Sequence, residues 1–177
     1  MKKALILATT AFACLMVAAQ AHVGVTPSEV PGGQNTLIGF GIGHGCDAAA
    51  TTAVRMQIPE GVISVQPVAK PGWEITITRG TYANPQMNGE TQVTEGVTMI
   101  EWTGGQLPNE WYDQFWIRAR VATSVEPHTM MWFPVVQECE GGGVNRWITV
   151  PAEGQPEPEE PTPGFMVTEP GEGGHAH

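Results

Sequence analysis

The sequence predicts an all-β protein: an immunoglobulin-like antiparallel β-sandwich with a disordered C-terminal tail. Three observations carry this. β-branched residues are dense from His22 to about Ala152, with no stretch holding a helical period for long. Several short runs alternate apolar and polar residues, as half-buried strands do. Clusters of Gly, Pro and Asn separate the runs at the spacing of a sandwich rather than of βαβ units.

Taken in order, candidate strands occupy residues 23–25, 36–41, 52–58, 62–67, 73–78, 98–103, 114–121, 130–138 and 144–150. Val54, Met56 and Ile58 should face one side and Ala53, Arg55 and Gln57 the other. Phe115, Ile117, Ala119 and Val121 make an inward face, opposite Gln114, Trp116, Arg118 and Arg120. Turns are expected at "PGGQN", "HGCD", "KPGW", "NPQMNG", "TGGQLPN" and "EGGGVN". Residues 22–152 therefore read as one domain. Residues 153–177 are rich in Pro, Glu and Gly, with one short apolar patch at 165–167, and read as a tail that cannot offset its ordering entropy.

Residues 1–21 have the three parts of a secretory signal: Lys2 and Lys3, an apolar run from Ala4 to Ala19, and the small-x-small site Ala19-Gln20-Ala21. An uncleaved anchor is the rival, but the run falls short of the roughly 20 apolar residues a span needs. A lipoprotein cut before Cys14 fits poorly with Ala11-Phe12-Ala13. Export to the periplasm and cleavage after Ala21 are expected, with no membrane span in the mature chain. The formal net charge of −10 makes nucleic acid and anionic lipid poor partners. Cys46 and Cys139 remain after cleavage, an even pair in an oxidising compartment, and are expected to form one disulfide rather than a thiolate metal site.

If cleavage follows Ala21, His22 becomes residue one and offers both an imidazole and an α-amine. The two close a chelate ring without any folding cost, and nitrogen donors in an open tetragonal arrangement favour Cu(II). On its own, His22 could equally be whatever residue the peptidase leaves first. Trp147 falls with Asn145 and Thr149, opposite Val144, Ile148 and Val150; an indole on the more polar face could cover a metal or simply pack under a loop. Near the start of the 114–121 strand, Glu110 and Asp113 offer carboxylates that could complete a metal site or merely solvate a turn. His44 beside Cys46 reads as structural, His128 lies in a polar turn, and His175 and His177 form an H-x-H in the tail. No G-x-S-x-G, H-E-x-x-H, Walker loop or C-x-x-C occurs.

The ordered set "AHVGVTP", "GCDAAATTAVRMQIPEGV", "KPGWEI", "WTGGQLPNEWYDQF" and "FPVVQECEGGGVNRWITVP" resembles the YcnI-like copper-binding domain family in its proteobacterial form. The resemblance runs from His22 to about Pro151. It implies an exported β-sandwich that binds Cu(II) through a mature N-terminal histidine, a mono-histidine brace, completed by a glutamate and a tryptophan. By position, His22 matches the brace histidine and Trp147 the tryptophan. Gln114, in "YDQF", stands where relatives carry the glutamate. A neutral amide lacks the charge that favours a divalent ion, so Asp113, Glu110 or Glu138 is the alternative source.

The function expected is that of a non-enzymatic periplasmic Cu(II)-binding protein in copper homeostasis or delivery, whose partners are the copper ion and another periplasmic copper protein. Two alternatives stand beside it. One is a copper-dependent redox enzyme, which a second histidine beside His22 would favour. The other is a metal-free immunoglobulin-like interaction module.

Overall fold

The computed structural model describes residues 22–171. Residues 1–21, expected to be a secretory signal, and the His175/His177 pair lie outside them. Among the described residues, twelve strands and one short 3-10 turn account for the regular structure: β1 (Gly24–Thr26), β2 (Glu29–Pro31), β3 (Asn35–Ile42), β4 (Thr51–Gln57), β5 (Val62–Pro67), β6 (Glu74–Asn88), β7 (Thr91–Leu107), β8 (Asp113–Val121), β9 (Met130–Trp132), β10 (Val135–Cys139), the turn Glu140–Gly142, β11 (Val144–Trp147) and β12 (Gly164–Thr168). They form a four-stranded sheet ordered β1-β3-β8-β5 and a five-stranded sheet ordered β11-β10-β4-β7-β6, both antiparallel throughout. A third sheet, β2-β12-β9, joins β12 parallel to β2 and antiparallel to β9.

The period-two faces predicted for β4 and β8 are the faces observed. Val54, Met56 and Ile58 are buried, as are Phe115, Ile117, Ala119 and Val121. The core between the sheets is built on edge-to-face aromatic contacts, with Phe115 at 5.4 Å from Trp102 and 5.1 Å from Trp73, centroid to centroid. No helix among the described residues is long and apolar enough to cross a membrane.

Four expectations are corrected. First, the 73–78 and 98–103 strands are parts of one long hairpin. Only the end of "NPQMNG" turns: the ladder continues to Asn88↔Thr91, and Gly89, at φ 62°, makes the reversal. Pro85 is accommodated because it falls inside the register shift between Thr81 and Gln86, where no ladder bond is lost. Second, the 130–138 strand divides at Phe133-Pro134, so that β9 and β10 serve different sheets. Third, β2 was not legible as a strand. Fourth, the tail is not disordered from residue 153. Residues 164–168 are a strand, Phe165 and Val167 are completely buried, and Phe165 lies 5.4 Å from Phe133. The domain therefore extends past Ala152 at least to Thr168. Composition misled because the segment turns only Phe165 and Val167 inward, while β2 and β9, distant in the chain, supply the rest of the cluster.

Candidate metal centre

β10 and β11 set the site. Their antiparallel register places Val135 opposite Trp147 and Gln137 opposite Asn145. Val135 is core, so Trp147 points inward with it and is 5% exposed, whereas Val144, Ile148 and Val150 are exposed. The alternation read from sequence is thus correct, and the face with the polar residues is the inner one. Asn145 and Trp147 are drawn inward by Gln137, which is itself 1% exposed. The Gln137 Nε2 donates to the His44 carbonyl and the Thr51 hydroxyl, each at 2.7 Å. Its Oε1 accepts from Asn145 Nδ2 at 3.2 Å and Trp147 Nε1 at 3.4 Å. Both donors and both lone pairs of one buried amide are used, which is what makes its burial tolerable. Gln137 was missed in the sequence, although alternation with Val135 and Cys139 marks it as inward.

Two imidazoles flank the indole. His22, just before β1, lies edge-on to Trp147 at 6.4 Å between centroids and 70° between planes. His44, in the β3–β4 loop, does the same at 6.4 Å and 69°. The His44 loop is held by the Cys46–Cys139 disulfide, with Cα atoms 5.9 Å apart, and by Gly45 N–H donating to Asn109 Oδ1 at 3.0 Å. A Cβ on Gly45 would run into the Ala49 carbonyl, so the tight loop requires glycine there. An open cavity of about 500 Å³ borders His44, lined by Asp47, Asn109 and Asn145 among others. From the segment after β11, Glu157 brings Oε1 to 3.6 Å from His22 Nδ1. That carboxylate was also missed, because its segment had been read as tail.

The other carboxylates named from sequence are engaged elsewhere. Asp113 pairs with the Lys70 ammonium at 2.6 Å, and Lys70 also donates to the Gln114 carbonyl at 2.9 Å and lies over the Phe115 ring. A divalent cation at Asp113 or Gln114 would meet this half-buried positive charge. Glu138 is corrected as a candidate: it is adjacent to Gln137 on β10 and so faces the opposite side of the sheet from Trp147. There it pairs with Arg55, which also holds Glu101. These bonds, that to Glu138 first, raise the Arg55 pKa further above its ordinary value. Glu110 is an exposed residue of the turn before β8. Among the described residues, no three His, Cys, Asp or Glu side chains gather as a metal site. Side chains alone complete no donor set here; His22 and Glu157 are the two potential donors that the fold brings together.

Residues 22–167 match the family described as a domain of unknown function, DUF1775. Among solved structures, an uncharacterized protein from Nocardia farcinica with an immunoglobulin-like fold is 24% identical, with a TM-score of 0.63 over 83% of this chain and 98% of its own. At that identity the likeness shows the fold, an immunoglobulin-like sandwich, and nothing further. A non-cellulosomal cohesin from the hyperthermophilic archaeon Archaeoglobus fulgidus aligns at 10% identity and a TM-score of 0.43, over 84% of this chain and 91% of its own. No match is found among curated proteins. With the two packed sheets, the disulfide and nearly all of β12 inside the matched range, the chain belongs to the DUF1775 family, also known as YcnI-like.

Proposed function

We propose that this is an exported, periplasmic Cu(II)-binding protein that holds copper or passes it to another periplasmic copper protein, without catalysis. The observation that carries this reading is the seating of His22 against Trp147 at the edge of the sandwich. Cleavage after Ala21 frees the α-amine, and that amine with Nδ1 forms the chelate. Nitrogen donors and an open coordination sphere suit Cu(II), the top of the divalent affinity series. Trp147, lying edge-on to His22, would shield an ion held by His22 from water. The test is a Cu(II) titration of the processed protein, followed by electron paramagnetic resonance. A form carrying one extra glycine before His22, and His22→Ala, should each lose most of the affinity. Tight binding by the glycine-extended form would reject the chelate.

One observation favours a second reading, a copper-dependent redox enzyme: His44 shares the indole with His22. Under that reading His44→Ala abolishes peroxide formation from oxygen and ascorbate by the copper-loaded protein. Under the first reading there is no such activity to lose.

A further inference from the structure

Resting on the copper reading above, we infer that Glu157, and not a residue of the β8 segment, is the carboxylate donor of this site. Gln114 has no charge to offer, and the Lys70 ammonium, bound to the Gln114 backbone carbonyl, neutralises the neighbouring Asp113. Glu138 faces away on the far side of its sheet. Glu157 alone among these reaches His22, and it does so at Nδ1, the nitrogen that closes the chelate with the α-amine. The 3.6 Å separation of Nδ1 and Oε1 falls between the spacings of adjacent and opposite donors on one ion, about 2.8 and 4 Å for bonds near 2.0 Å.

The segment carrying Glu157 is built to hold it there. Pro156 and Pro158 flank it and restrict the backbone, which lowers the entropy lost on ordering the carboxylate. On the β11 side the chain leaves directly from Trp147. On the other side Thr162 N–H donates to the Thr149 carbonyl at 2.9 Å, and Phe165 and Val167 anchor β12 in the core. The loop is thus pinned at both ends across the site. A negative charge next to a divalent ion is worth more than the dipole of an amide at the same distance, even with solvent screening.

The experiment uses full-length protein exported and processed in the cell, its start at His22 verified by mass spectrometry. Cu(II) dissociation constants and paramagnetic resonance spectra are measured for the unaltered protein, Glu157→Gln, Glu159→Gln, Gln114→Ala and His22→Ala. Glu157 is exposed, so Glu157→Gln should melt like the unaltered protein without copper. The expected result is a Cu(II) affinity about tenfold weaker or more in Glu157→Gln, with altered spectral parameters, while Glu159→Gln and Gln114→Ala match the unaltered protein. If Glu157→Gln keeps affinity and spectrum while His22→Ala loses binding, the inference is overturned and the copper reading stands. A loss in Gln114→Ala alone likewise overturns it in favour of the amide. Should the processed, unaltered protein fail to bind Cu(II), both fall together.

Discussion

Gln137 is the residue on which the site's inner wall depends. Removing it strands the Thr51 hydroxyl, the Asn145 amide and the Trp147 N–H in a buried setting. Gln137→Leu should therefore cost about 2–4 kcal/mol, read by urea unfolding, and should shift the emission of Trp147. Tyr82 presents the opposite case. Its hydroxyl is buried and has no hydrogen-bond partner among the described residues. Tyr82→Phe should be neutral or stabilising, by up to about 1 kcal/mol. Burial first, then the charge of Glu60, raises the Tyr82 pKa above its ordinary value. The unfolded chain thus loses this proton first, near pH 10. The stability associated with the neutral phenol is intact below that pH and is lost as pH rises towards the folded-state value. Tyr82→Phe should flatten this alkaline decline, a difference visible in unfolding midpoints measured from pH 9 upward.

At the scale of elements, the disulfide and β12 do related work. The Cys46–Cys139 bond spans a sequence separation of 93. A closure of that length stabilises by about 4–5 kcal/mol in the chain-entropy view. Cys46→Ala with Cys139→Ala should show a loss of that order in chemical denaturation, and the His44 loop should exchange its amide hydrogens faster. β12 contributes through packing. Phe165 is fully buried against Phe133, so Phe165→Ala should cost about 3–5 kcal/mol. Were Phe165→Ala to unfold at the same denaturant concentration as the unaltered protein, β12 would not be part of the cooperative unit. The two long strands of the β6–β7 hairpin were visible in the sequence only where they face the core. The outer half of β7 exposes Thr, Gln and Glu on both faces, and that of β6 turns inward only at Tyr82 and Gln86, so alternation fades although the ladder continues.

Across the whole molecule, the site forms where separate parts of the chain meet: the start of the four-stranded sheet, the β11 edge of the five-stranded sheet, and the segment leading to β12. A ligand bound there couples to global stability. Cu(II) held at a hundredfold excess over its dissociation constant should stabilise the processed protein by about 2.7 kcal/mol. The glycine-extended form should gain far less, and differential scanning calorimetry with and without copper measures both.

The sequence by itself determined the sandwich class, the inward faces of β4 and β8 and the partnership of the two cysteines, and it named His22 and Trp147 as candidates. Each of these is a local signal: a period of two, a cysteine count, a cleavage motif or an ordered set of family motifs. The sense of the β11 alternation was beyond it, because which face is inner depends on Gln137 of the neighbouring strand. The order of residues 161–168 was beyond it too, because the apolar partners of Phe165 lie far away in the chain. Only the tertiary structure set Glu157 beside His22, Lys70 on Asp113, and Glu138 on the outer face. Ion pairs of this kind are chosen by proximity in space, and proximity between positions distant in the chain has no periodicity to read.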